Sequence, residues 1–152
     1  MRTFIGQIQG LLDSALNSAG LAIGSSSKAK VKIVNTVYAM FDGRLVKKTT
    51  AEIAFTATTH DVTNAKFRYF RLSMSSAGTV TITAGVEGAT LAAATFPEIP
   101  SGDVPLGYVI INPTGTGDFD ATTTELDDLT VVPNAVYVNT ATPQQPTLLL
   151  TV

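Results

Sequence analysis

The chain has 152 residues, which is enough for one domain with its own hydrophobic core and a short appendage. Hydrophobic residues make up 45% of the chain and charged residues only 14%, well below the roughly 25% that is usual for soluble domains. Cysteine is absent, which excludes disulfides, thiolate catalysis and cysteine-bound zinc. The low charge predicts that part of the surface is covered by a partner or by further copies of the chain.

Charge is unevenly distributed along the chain. The first 71 residues hold all ten Lys and Arg and four acidic residues, which gives a net charge of +6. Residues 72–152 hold eight acidic residues and no basic one, which gives −8. Two interpretations stay open: a directional contact between oppositely charged surfaces, or a fold that mixes the two halves so that their charges cancel.

The N-terminal segment is predicted to be an amphipathic helix over residues 3–23. Apolar side chains recur there at the i, i+3, i+4, i+7 spacing of one helix face. They are Phe4, Ile5, Ile8, Leu11, Leu12, Ala15, Leu16 and Ala19. Because Gln7, Gln9 and Asp13 interrupt the apolar run, it fits neither a secretory signal peptide nor a membrane span. Residues 1–24 are therefore predicted to anchor the chain to a partner or to join copies through a short coiled-coil-like seam.

A Ser-rich linker at residues 25–29 is predicted to lead into a β-rich body at residues 30–152. From Lys30 the apolar period becomes two, so that Val31, Ile33, Val37, Ala39 and Phe41 share one strand face. Asp42-Gly43 predicts a tight hairpin turn into a return strand at 44–48. Further strands are predicted at 51–58, 66–74, 79–84, 106–112, 130–132 and 135–139.

This succession of short strands and turns predicts a mainly β fold: an antiparallel β-sandwich or barrel-like body with the amphipathic helix at its N-terminus. The apolar C-terminal residues 147–152 are predicted to be buried, with a neighbouring subunit as one candidate for the contact.

The residues that carry chemistry do not assemble into an enzyme motif. His60, the single histidine, sits beside Asp61 in a predicted turn, and no Gly-x-Ser-x-Gly elbow exists to supply a nucleophile. The Gly115-Thr116-Gly117 stretch lacks the further glycine and lysine of the phosphate-binding loops. The sequence therefore predicts no enzymatic activity and no cofactor.

Two stretches raise binding alternatives. The acidic residues between 118 and 128 would supply oxygen ligands to Ca²⁺ if their loop folded back, but they lack the EF-hand spacing, and an exposed acidic loop is the commoner explanation. Residues 66–71 alternate basic and aromatic side chains, as single-strand nucleic-acid platforms do. A β-strand would divide these side chains between two faces, and the isoelectric point of about 5.2 is acidic. Neither a metal nor a nucleic-acid partner is predicted.

Three stretches of the body carry a resemblance to a known group of proteins. They are FRYFRL (67–72) continuing to AGTVTIT (77–83), EIPSGDVPLGYVII (98–111), and NPTGTGDF (112–119) leading to TTELDD (123–128). Together they resemble small virion proteins of tailed bacteriophages, in particular capsid decoration and head-fibre proteins. The similarity covers about residues 30–140 and lies in the residue pattern of the strands and in short loop sequences, not in catalytic residues.

The resemblance implies a structural protein that decorates or stabilises the capsid through non-covalent contacts, located in the virion after assembly in the host cytoplasm. Its expected partners are the major capsid protein or another virion protein and further copies of the chain, a trimer being common, with no membrane. The alternative is a tail or fibre-associated component, with a host glycan as ligand. The predicted contact residues are Phe4, Ile5, Ile8, Leu11, Leu12 and Leu16, with nearby positive charge from Lys28, Lys30 and Lys32.

Overall fold

The computed structural model describes residues 13–140, and every regular element in this part of the chain is a β-strand. The ten strands are β1 (Ser14–Ala15), β2 (Leu21–Ile23), β3 (Lys30–Ile33), β4 (Val37–Phe41), β5 (Arg44–Lys48), β6 (Ala51–Ala54), β7 (Arg68–Met74), β8 (Val80–Ala84), β9 (Val104–Ile111) and β10 (Val136–Asn139). They form three antiparallel sheets with strand orders β1-β4-β5, β2-β3-β6 and β10-β9-β7-β8. The prediction of a mainly β protein is confirmed.

The predicted N-terminal helix is wrong for residues 13–23, while residues 1–12 lie outside the described part of the chain. Between residues 13 and 23, β1 pairs with β4 and β2 pairs with β3. Asn17 shows why: its side-chain amide donates to the Thr36 carbonyl and its oxygen accepts from the Tyr38 N–H, both at 2.8 Å. Asn17 thus joins this segment to the chain around the start of β4.

Residues 25–29 connect β2 to β3 within one sheet. The Glu52 carboxylate on β6 accepts hydrogen bonds from the backbone N–H of Ser25 (2.6 Å) and of Ser26 (2.7 Å), and from the Ser26 hydroxyl. The Ser26 hydroxyl and these N–H groups hold the pKa of Glu52 at about 2. The Ser-rich segment predicted to be a linker is therefore a hydrogen-bonded hairpin connection.

The alternation predicted for β3 and β4 is confirmed, since all five residues of the predicted inner face are buried. Asp42 and Gly43 have φ values of 47° and 77°, and Phe41 is paired with Arg44 across them. Both turn residues are therefore left-handed, as a two-residue turn that matches the strand twist requires.

One hydrophobic core receives side chains from all three sheets. Its centre lies on β7 and β9, where the register shifts between Leu72 and Ser73. Gly107 lies at this irregularity with φ of 150°, and a Cβ there would stand 2.5 Å from the Val138 carbonyl oxygen. Glycine therefore permits β9 and β10 to approach closely at this point.

The long connection at 112–135 contains no strand, so the strand predicted at 130–132 is wrong. Asp128 accepts hydrogen bonds from the backbone N–H and the hydroxyl of Thr130, which forms a turn there instead. Four apolar side chains nevertheless tie this connection to the core: Phe119, Ala121, Leu126 and Val132. Phe119 and Val62 also exchange backbone hydrogen bonds of 2.9 and 3.0 Å. The acidic 112–135 connection is thus packed against the core.

Candidate interaction surfaces

The outer side of the β1-β4-β5 sheet is the first candidate, and we call it the N-terminal face. Because neighbouring residues in a strand point to opposite sides, the register of β1, β4 and β5 places six outward residues together. They are Ser14, Leu16, Tyr38, Met40, Leu45 and Lys47. Leu16 is 46% exposed, Tyr38 39% and Leu45 59%. Three large apolar side chains therefore meet solvent on one small sheet.

The N-terminal face adjoins the predicted anchor. The chain enters β1 at Asp13, whose carboxylate accepts the Asp42 N–H at 2.7 Å beside the β4–β5 turn. Of the six apolar residues predicted to contact a partner, Leu16 lies on this face, while Phe4, Ile5, Ile8, Leu11 and Leu12 lie outside the described residues. The apolar segment thus leads directly to an exposed apolar surface.

The three predicted cations lie away from the N-terminal face. Lys28 forms an ion pair of 2.7 Å with Asp127, which raises the pKa of Lys28 through the hydrogen bond and the opposite charge. Lys30 and Lys32 lie on β3, in a different sheet, where the Lys32 ammonium donates to the Ser25 hydroxyl.

The positive charge beside the N-terminal face comes from β5, which sequence reasoning treated only as a return strand. Lys47 points outward next to Tyr38, and Arg44 and Lys48 occupy the ends of the strand. In the sequence, strand alternation after the Asp-Gly turn places Leu45 and Lys47 on one side of the strand, which was the available signal for their outward position.

The outer side of the β10-β9-β7-β8 sheet is the second candidate, and we call it the C-terminal face. The strand register brings Tyr69, Tyr108, Ile110, Val136 and Val138 together there. Phe96, from the connection between β8 and β9, packs on this face and is 42% exposed, while Val136 is 47% exposed.

Edge-to-face contacts hold Phe96 in place. Its ring centroid lies 5.3 Å from that of Tyr69 and 5.1 Å from that of Tyr108, and the Arg71 guanidinium lies 5.1 Å from its centre. Arg71 also donates a hydrogen bond of 3.3 Å to the Pro97 carbonyl. The C-terminal face is therefore an ordered aromatic and aliphatic surface.

The basic and aromatic stretch at 66–71 is divided by β7 as its alternation predicts. Phe70 is buried in the core, and Tyr69 and Arg71 lie on the C-terminal face. Arg68, on the other side, donates to the carbonyls of Gly85 (2.8 Å) and Asp61 (2.6 Å). The two arginines are therefore engaged with protein groups on opposite sides of the strand.

His60 is a core residue. Its Nδ1 accepts the Thr56 N–H at 2.9 Å, and its ring packs edge-on against Phe55 and Phe70. Burial, with a further contribution from the charge of Arg68, lowers the pKa of His60, so the neutral ring is favoured at physiological pH. This geometry gives the single histidine a structural role in the turn that follows β6.

An acidic cleft of about 420 Å³ lies between the turn after β6 and the 112–135 connection. Each of its four carboxylates accepts a backbone N–H: Asp61 from Ala121, Glu87 from Thr63, Asp118 from Asn64 and Asp120 from Thr122. Across residues 13–140, no group of three or more metal-ligating side chains is arranged to hold an ion. The carboxylates of Asp61, Glu87 and Asp118 therefore join segments that are distant in the sequence, and that of Asp120 closes a local turn.

The fold brings the two oppositely charged halves of the chain into contact. β7, which carries Arg68 and Arg71 of the basic half, lies between β8 and β9 of the acidic half, and Lys28 pairs with Asp127 across the halves. That pair is the one ion pair found between residues 13 and 140. The halves are therefore mixed in the four-stranded sheet, whereas Arg44, Lys47 and Lys48 on β5 keep a separate basic edge.

Comparisons with protein-family models, curated proteins and solved structures gave no match to the chain. The described residues contain no helix with the length and apolar character needed to cross a membrane.

Proposed function

We propose that the chain is a structural protein of a tailed-bacteriophage virion, which decorates or stabilises the capsid through non-covalent contacts. Its attachment surface is the N-terminal face together with residues 1–12. The observation that carries this proposal is the exposure of Leu16, Tyr38 and Leu45 on one sheet face, at the point where the apolar N-terminal segment joins the body. The resemblance over residues 30–140 supports the assignment to a virion.

The chemistry of the N-terminal face indicates what it contacts. Exposed apolar side chains gain roughly 25 cal/mol for each Å² removed from water, and aromatic anchors such as Tyr38 are common centres of protein interfaces. Lys47 adds a positive charge on this face, and Arg44 and Lys48 lie at the two ends of the same edge strand. The expected partner surface, on the major capsid protein or another virion protein, is thus apolar with acidic groups at its edge.

The body supports this role as a folded scaffold. We propose the arrangement of a β-sandwich, in which the four-stranded sheet packs across the core from the two three-stranded sheets. Phe55, at the end of β6, packs on Phe70 of β7 at 5.1 Å and on Phe119 at 5.7 Å, which supports the assignment of these sheets to opposite sides. The proposed role is non-enzymatic and needs no cofactor, and copies of the body associate, up to a trimer.

Binding to purified phage heads that lack the protein tests the proposal. Four proteins are compared by co-sedimentation: the full chain, a chain that lacks residues 1–12, Leu45→Asp and Leu129→Asp. Leu129, 76% exposed in the 112–135 connection, is the matched control for a surface leucine away from the N-terminal face. The truncation and Leu45→Asp are expected to weaken binding at least tenfold, and Leu129→Asp is expected to bind like the parent.

Undiminished binding by both the truncated chain and Leu45→Asp would contradict the proposed attachment surface. Labelling of tagged protein on intact virions tests the location separately. Label on the tail instead of the head would favour the alternative, a tail or fibre-associated component, and a glycan array with the full chain would then test for a host glycan.

A further inference from the structure

The four-stranded sheet has an unprotected edge at β10. Within residues 13–140, β10 pairs only with β9. Its sequence, Val-Tyr-Val-Asn, contains none of the charges or prolines by which proteins commonly keep an exposed strand edge from pairing. The β5 edge differs, because Arg44, Lys47 and Lys48 protect it. Apart from the Leu21 N–H, which donates to the Asn139 side chain at 2.6 Å, the described residues leave the β10 edge open to pairing with a further strand.

Both sides of β10 carry groups that a further strand would cover. On the outer side, Val136 is 47% exposed and Val138 is half-buried. On the inner side, the Tyr137 hydroxyl is buried without a hydrogen-bond partner among residues 13–140, and burial raises the pKa of Tyr137 to about 12. A buried hydroxyl that lacks a partner is unfavourable, so a polar side chain is expected beside it.

The chain that follows β10 has the composition of such a strand. The Thr140 N–H still donates to the Leu106 carbonyl at 3.3 Å, so the chain leaves the fold beside the same sheet. Residues 141–146 contain Pro143 and Pro146, which suit a turn, and residues 147–152 read Thr-Leu-Leu-Leu-Thr-Val without any charge. In a strand, Leu148, Leu150 and Val152 would share one side and Thr147, Leu149 and Thr151 the other.

We propose that β10 is the docking edge for residues 147–152 of the same chain, which add to the four-stranded sheet as a fifth strand antiparallel to β10. Leu148, Leu150 and Val152 then extend the C-terminal face beside Val136 and Val138. Thr147 and Thr151 lie on the side of Tyr137, where a threonine hydroxyl supplies the missing hydrogen-bond partner.

The length of the chain favours its own tail over that of a second copy. Six residues, 141–146, span up to about 20 Å, while neighbouring strands lie only about 4.8 Å apart. A connection this short gives an effective concentration on the order of millimolar, far above the micromolar concentration of other copies in a dilute solution. The inference does not depend on where in a virion the protein sits.

Cysteine pairs test the docking directly, because the natural chain has no cysteine to interfere. Val138→Cys is combined in turn with Leu148→Cys, Leu150→Cys and Val152→Cys and oxidised at micromolar concentration. At least one of these pairs is expected to form an intrachain disulfide, detected by mass spectrometry and non-reducing electrophoresis, since Cα atoms in neighbouring strands come within bridging distance.

Two matched controls use the same tail positions. Val138→Cys with Leu149→Cys places the thiols on opposite sides of the sheet, and Thr81→Cys replaces Val138→Cys at the other edge of the sheet, on β8. Neither control is expected to cross-link. A disulfide-linked dimer would overturn the assignment to the same chain, and cross-linking that is absent or equal in all pairs would overturn the docking itself.

Hydrogen exchange provides a test without cysteines. Removal of residues 147–152 is expected to raise the exchange rate at least tenfold for one or more backbone amides of Val136–Asn139, because those that point away from β9 lose their partners. The amides between β7 and β9 serve as the internal reference. Equal exchange in the full and truncated chains would overturn the proposal.

Discussion

Phe119 provides a direct test of whether the long 112–135 connection belongs to the folded core. Its side chain is fully buried and packs edge-on against Phe55, with ring centroids 5.7 Å apart. Its backbone N–H and C=O both form hydrogen bonds with Val62. Replacement of a buried phenylalanine by alanine costs roughly 3–5 kcal/mol of the free energy of unfolding, because apolar burial is lost and a cavity remains. We therefore expect Phe119→Ala to lose a large part of the stability of a domain whose total lies at about 5–15 kcal/mol.

The assay is urea unfolding followed by circular dichroism, together with thermal unfolding. For a chain of this length, a loss of this size lowers Tm by roughly 6–20 °C, at about 2–4 °C per kcal/mol. Leu129→Ala is the control within the same connection, because Leu129 is 76% exposed, and its effect is expected to stay within about 0.5 kcal/mol. A loss below about 1 kcal/mol for Phe119→Ala would refute the packing of the connection on the core.

Three further changes test other parts of the fold. Gly107→Ala is expected to cost roughly 1–3 kcal/mol in urea unfolding, because the new Cβ meets the Val138 carbonyl at an unfavourable φ, whereas Gly117→Ala, with open space around it, should be neutral. The pKa of Glu52 is lowered from 4.5 to about 2, so its contribution to stability is present above pH 4.5 and lost as the pH falls towards 2. Glu52→Gln should remove this part of the acid dependence. Unfolding of the natural chain and of Glu52→Gln is therefore compared at pH 7, 4 and 2, and an equal loss of stability with falling pH in the two proteins would contradict the role of Glu52. Because the pKa of His60 is lower in the folded than in the unfolded chain, stability should decline as the pH falls below about 6.5. An NMR titration that gives His60 a pKa at or above 6.5 would disprove its burial.

The sequence predicted the strands whose side chains alternate strictly. In β3 and β4, the five residues of the predicted inner face are buried as expected, and Asp42-Gly43 forms the turn that its conformational freedom allows. These features depend on neighbouring residues alone. β1 and β2 were missed because Asn17 bonds to strand β4 about twenty residues away, and a contact of that kind leaves no periodic signal in its own segment.

The candidate surfaces were predictable only in part, for the same reason. Leu16 was identified from its apolar spacing, and the structure places it beside Tyr38 and Leu45, which follow it by more than twenty residues. The cations assigned to this region, Lys28, Lys30 and Lys32, are close in sequence but lie on another sheet or in an ion pair. Which residues share a surface is decided by strand pairing, and strand pairing here is mostly non-local.

Both ends of the described chain leave the fold beside an apolar sheet face. The edges of the β1-β4-β5 sheet and of the four-stranded sheet differ, which indicates that one sheet binds a partner and the other accepts a further strand. On the N-terminal sheet, β5 is protected by Arg44, Lys47 and Lys48, so this sheet is suited to contact a partner through its exposed face without pairing edge to edge. In the four-stranded sheet, the β10 edge carries no protecting charge or proline, and residues 147–152 are proposed to pair with it. Attachment and tail docking should therefore be independent. Leu45→Asp is expected to weaken head binding without changing the disulfide yield between β10 and the tail, and removal of residues 147–152 should leave head binding intact. If removal of the tail abolished head binding in a protein that stayed folded, the division of roles between the two faces would be wrong.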